Sequence, residues 1–74
     1  MDIDHLVQMA NRIAEFFEAM PDEDEARAGV AGHLQRYWEP RMRAQLAEHL
    51  RVRKGAGLRP LVLEALAEPA TRLR

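Results

Sequence analysis

Prolines at positions 21, 40 and 60 divide this chain into segments of about twenty residues, and a fourth follows at position 69. Proline breaks a helix interior and pushes the residue before it out of the α region. Any helix here is therefore confined between prolines. The segments themselves are helical in pattern, with no alternating β-branched run and no Asn-Gly or Asp-Gly turn to signal strands. The expectation is all-α: a small bundle of three to four helices joined by loops of two to five residues.

The first helix is expected from about Asp2 to Met20, with Asp2 or Asp4 as N-cap. Its apolar stripe is Ile3, Leu6, Val7, Ala10, Ile13, Ala14, Phe17 and Met20, spaced as an amphipathic helix requires. Met9 and Phe16 lie off the centre of that stripe and widen the apolar face. The second is expected from about Asp22 to Trp38. Asp22-Glu23-Asp24-Glu25 loads its first turn with negative charge, which suits the helix dipole, and Asp22 and Glu25 have capping-box spacing. Its buried stripe is Ala26, Val30, Leu34 and either Tyr37 or Trp38. Gly29, Ala31 and Gly32 would let another helix approach closely. Pro40 opens the third helix at the position where a missing N–H costs nothing. Met42, Leu46, Ala47 and Leu50 carry it to Arg53 or Lys54, with Gly55 expected as a left-handed cap. The fourth starts near Pro60 and runs to about Ala67, with Leu58, Leu61, Val62, Leu63 and Leu66 as its apolar residues. One helical domain over 1–68 is expected, with 69–74 as a frayed tail.

Size limits what such a bundle can do alone. A chain of 74 residues buries only about 60% of the surface it exposes when unfolded, so its core is marginal. Hydrophobic residues at 47% and charged residues at 31% place it among globular rather than disordered chains. Without cysteine it has no disulfide and no thiolate chemistry. Packing, self-association or a larger partner must supply the remaining stability. No apolar run approaches the about 20 residues of a membrane span. The opening Met1-Asp2-Ile3-Asp4 has neither the basic start nor the apolar block of a secretory signal, so a cytoplasmic location is the default expectation.

The residues that carry chemistry do not gather. His5, His33 and His49 lack the helical spacing of metal ligands. Gly55-Ala56-Gly57-Leu58-Arg59-Pro60 lacks the Gly-Lys-Ser/Thr ending of a phosphate loop and follows no strand. The lone Thr71 is no activated nucleophile. No catalytic, metal or cofactor site is expected in this chain. The net charge is −1, with acids concentrated in the first half and bases in the second. That balance argues against nucleic acid, which demands a strongly basic domain.

One constellation stands out: Tyr37-Trp38-Glu39-Pro40-Arg41-Met42-Arg43 at a helix-helix corner. Tyr, Trp, Met and Arg are enriched at protein interfaces and their hot spots. Trp38 either fills the core or joins a docking surface with its neighbours. Phe16, Tyr37, Trp38, Arg41, Met42 and Arg43 are the candidate docking residues.

Three blocks together, MANRIAEFFEAMPDEDEA (9–26), AGHLQRYWEPRMRAQLAEHL (31–50) and GAGLRPLVLEAL (55–66), resemble the delta subunit of cytoplasmic NAD-dependent formate dehydrogenase across nearly the whole chain. That family commonly carries Phe-Trp-Asp-Pro where this chain has Tyr37-Trp38-Glu39-Pro40, a conservative difference. The resemblance implies a small accessory subunit concerned with assembly, stability or cofactor maturation. Its partners would be the large subunits, the alpha subunit foremost. Those subunits would carry a molybdenum or tungsten pterin, iron-sulfur clusters, FMN and NAD. No catalytic residue carries over; His33, Trp38, Pro40, Arg41, Met42 and Arg43 carry over as motif positions of structural or docking use. Two other readings stay open: a free-standing homodimeric helical regulator with possible nucleic-acid binding, and a chaperone that leaves after cofactor insertion.

Overall fold

The computed structural model describes residues 2–67; the expected tail, 69–74, lies outside them. The elements in chain order are α1 (Ile3–Phe17), α2 (Glu23–Tyr37), α3 (Pro40–Arg53) and α4 (Pro60–Ala67), with no strand among the described residues. The bundle is thus four-helical and all-α, and α4 spans the residues its proline and stripe predict.

Local chemistry sets most boundaries. The Asp2 carboxylate accepts the Asp4 N–H at 3.2 Å, making Asp2 the first N-cap. The Asp22 carboxylate caps α2 by accepting from Asp24 N–H at 2.8 Å and Glu25 N–H at 3.3 Å. Such caps satisfy donors that no helical carbonyl can reach. Two expectations need correction. α1 stops at Phe17, not Met20: Met20 N–H bonds the Phe17 carbonyl at 3.0 Å in a turn, so the chain leaves the helix before Pro21 forces it out. α3 ends in a left-handed cap at Lys54 (φ 55°), one residue before Gly55 (φ 72°). The His49 carbonyl accepts from both the Lys54 and Gly55 N–H groups there, so satisfying an end carbonyl outweighs the cost of left-handed backbone at a lysine.

α1 is the hub, packing on α2, α3 and α4, while α2 also packs on α4 and α3 rests mainly on α1. The core holds Leu6, Ala10 and Ala14 from α1, Val30, Ala31 and Leu34 from α2, Leu46 from α3, and Val62, Ala65 and Leu66 from α4, closed by Trp38 and Leu58. Alanines on the hub helix leave room for neighbours to approach. Arg27 bridges α2 to α4 through Glu64 at 3.3 Å, and also pairs with Asp24.

The segment joining α3 to α4 is held by residues far away in the chain. Asn11 Nδ2 donates to the Gly57 carbonyl at 2.9 Å, and its Oδ1 accepts the Arg59 N–H at 2.9 Å. Glu18 accepts both Arg59 Nε and Nη2 at 2.7 Å, a bidentate pair. That hydrogen bond, aided by the guanidinium charge, holds the Glu18 carboxyl below its ordinary range. His49 Nε2 donates to the Ala56 carbonyl at 2.7 Å.

The two glycines of α2 differ. A Cβ on Gly29 would lie 2.4 Å from the Phe17 ring, whereas one on Gly32 meets nothing within 4 Å. Gly29 is the place where α1 closes on α2; Gly32 faces open space. Gly32→Ala is expected to raise stability by about 1 kcal/mol through helix propensity. Gly29→Ala gains the same propensity but forces Phe17 to move, so a net loss of up to about 2 kcal/mol is expected. Urea melts of the two variants check the opposite signs.

Candidate docking surface

The corner expected to form one docking patch comes apart in the structure. Trp38 is 5% exposed and packed into the core, so of its two readings the structure supports the core one. Tyr37, its neighbour, is 66% exposed. The break at Glu39-Pro40 explains the division: Trp38 sits in extended backbone (φ −86°, ψ 136°) as the last α2 carbonyls are capped, its own N–H reaching the Leu34 carbonyl at 3.2 Å. Met42 is half-buried against the core. Arg43 is half-buried and turned back on α2, its Nη1 reaching the Gln35 carbonyl at 3.3 Å and Oε1 at 3.4 Å. It braces the corner. Arg41 is exposed, with no ion pair among the described residues.

Phe16 is 73% exposed, with its ring edge-on to Phe17 at 5.0 Å. Phe17, Gly29, Gly32, His33 and Tyr37 line a shallow depression of about 240 Å³ on the outer side of α2. The His33 and Tyr37 rings, one helical turn apart, meet at 4.8 Å with their planes tilted by 49°. The depression runs from Phe17 over the glycines to His33 and Tyr37, and Phe16 adjoins it through its ring contact with Phe17. Of the candidate residues, Tyr37 lines this depression and Phe16 touches one of its lining residues, Phe17. Phe16 was legible as an aromatic off the stripe. The floor was legible as small residues, though Ala31 is buried and Gly29 is already covered by Phe17.

A second surface runs along α3, in a groove of about 490 Å³ between that helix and Ile3. Its residues on α3 recur at helical spacing, a signal overshadowed by the inward stripe of Met42, Leu46 and Leu50. Asn11 was also missed, since its partners lie 46 and 48 residues away and no local pattern announces them.

Titratable side chains mostly serve the fold. His49 and Asp22 hold backbone, His33 packs against the Tyr37 ring, and Glu18 holds Arg59. Among the described residues, no group of three or more His, Cys, Asp or Glu side chains is placed to hold a metal. Of the basic residues that could meet phosphate, Arg51 is paired with Glu48 at 2.7 Å and Arg59 with Glu18. No helix is long and apolar enough to cross a membrane among the described residues.

These features define a small four-helix protein whose open surfaces are helix faces rather than a cleft of reactive groups. The match to a family model over residues 5–66 makes the particular assignment: the chain belongs to the NADH-dependent formate dehydrogenase delta subunit family, FdsD. No curated protein and no solved structure matches it in the corresponding comparisons.

Proposed function

We propose that this chain is a non-catalytic accessory subunit of a cytoplasmic formate dehydrogenase, and that it docks on a large subunit, the alpha subunit foremost, through the aromatic face of α2. In this reading it supports assembly, stability or cofactor maturation. Formate oxidation at a molybdenum or tungsten pterin, and electron flow through iron-sulfur clusters and FMN to NAD, then belong to the partner subunits.

The observation that carries the reading is the exposure of Phe16 and Tyr37 beside a depression floored by Gly32. Contiguous exposed apolar surface marks interaction sites, and Tyr is among the residues that dominate interface energy. The family membership names the complex in which that partner is sought.

Removing both aromatics tests it. Phe16→Ser with Tyr37→Ser is expected to leave the melting temperature of the isolated chain nearly unchanged, since both side chains are solvated. The same pair is expected to weaken retention on co-expressed formate dehydrogenase subunits by more than about tenfold, the usual loss at interface hot spots. Full retention of the double variant on the large subunits rules this face out.

A further inference from the structure

We propose that the groove along α3 is a second docking site, and that it receives an amphipathic helix with carboxylates at both ends. The proposal rests on the subunit reading above for the source of that helix, but on a different surface for its geometry.

The groove exposes mainly apolar surface, with Gln45, Glu48 and His49 also along its length and an arginine at each end. Ile3, Ala44 and Val52 contribute to its floor and wall, and Val52 is 55% exposed. Arg41 and Arg53 stand at opposite ends of the same strip. Twelve residues of helix separate them, roughly 18 Å at 1.5 Å per residue, or just over three turns. Neither guanidinium group has an ion pair or hydrogen bond among the described residues. Glu48, between them, is already engaged by Arg51 at 2.7 Å. The molecule therefore presents two unmatched cations, spaced by a mainly apolar strip about as long as a short helix.

Charge complementarity selects the occupant. A second copy of the chain pairing α3 against α3 in register with the centre of the groove is disfavoured in either direction. An antiparallel pair sets Arg41 against Arg53 of the second copy, and a parallel pair sets each arginine against its equivalent. Like charges meet at both ends in each case. A helix with apolar residues at i, i+3, i+4 and i+7 and with Asp or Glu near its two ends covers the strip and meets both guanidinium groups. Helix-in-groove recognition of this kind reads its ligand through those anchors. Because α3 rests mainly on α1, its outer side is not covered by α2 or α4. The chain then holds two faces of different character, one aromatic on α2 and one basic-apolar on α3.

Site-specific photo-crosslinking in the assembled complex tests this. A benzophenone amino acid is placed at position 52 in one sample and at position 37 in another, each co-expressed with the large formate dehydrogenase subunits, and crosslinked peptides are mapped by mass spectrometry. The expected product from position 52 is a partner segment with helical apolar spacing and flanking carboxylates. Arg41→Glu with Arg53→Glu is expected to cut that product about tenfold, with position 37 still crosslinking, and thermal melts confirm that the variant folds. Crosslinks from position 52 to a second copy, or to a segment without carboxylates, overturn the proposal. Silence at position 52 with a strong product at position 37 overturns it while leaving the aromatic face standing. Silence at both positions removes the subunit reading and this proposal together.

Discussion

Trp38→Ala is expected to cost about 3–5 kcal/mol, the usual range for emptying an aromatic core position. Domains are stabilised by about 0.05–0.15 kcal/mol per residue, which for a chain of 74 residues amounts to roughly 4–11 kcal/mol. The loss therefore consumes much of what holds the fold together. At about 4–8 °C per kcal/mol for a domain this size, the melting temperature should fall by more than about 12 °C. The indole belongs to the same core cluster as Leu34 and Leu46, so its removal opens a void where α2 turns into α3. Circular dichroism melts measure the loss directly. As the chain's one tryptophan, Trp38 also reports on itself: its fluorescence should be blue-shifted when native and move red on unfolding. A melting temperature unchanged in Trp38→Ala would mean that the side chain lies outside the core. Tyr37→Ser, next door, should leave the melt nearly unaltered, and the contrast separates fold from docking at this corner.

Gly55→Val is expected to be the most damaging change outside the helices. Gly55 is buried at φ 72°, a region costing L-residues roughly 1–2 kcal/mol. A Cβ there would lie 2.5 Å from Leu63 Cδ2 and 3.3 Å from Leu50 Cδ1 and Leu58 Cδ1. Three leucines from both sides of the turn would have to retreat, adding about 1–3 kcal/mol of overpacking. Together these predict a loss of about 2–5 kcal/mol by urea titration. Gly57→Ala is the matched control. Its φ is 86°, but a Cβ would meet only Val7 Cγ1 at 3.5 Å, ordinary contact, so only the backbone strain should register. Equal losses in the two variants would show that strain, not packing, dominates at Gly55.

These two sites also show where local pattern stops being informative. On a helical wheel at 100° per residue, positions 37 and 38 fall roughly 50° to either side of the Ala26-Val30-Leu34 centre line once Ala31 is included. Nothing in that wheel selects one aromatic. The chain reversal at Glu39-Pro40 decides, by taking Trp38 out of helical geometry and into the core. Gly29 and Gly32 are likewise alike in sequence. Only the approach of Phe17 from another helix distinguishes the packed glycine from the open one.

The sequence by itself determined an all-α bundle of three to four helices, an aspartate cap at Asp22 and at either Asp2 or Asp4, the proline starts of α3 and α4, and most of the inward stripes. Each of these depends on residues within about four positions of one another, where i, i+3 and i+4 neighbours interact directly. The Asn11 clamp on the α3–α4 segment, the inward Trp38, the approach of Phe17 to Gly29, and the α3 groove arose only when the helices packed. Those features link side chains from different elements, and the free energy that selects among them belongs to the assembled core rather than to any local stretch.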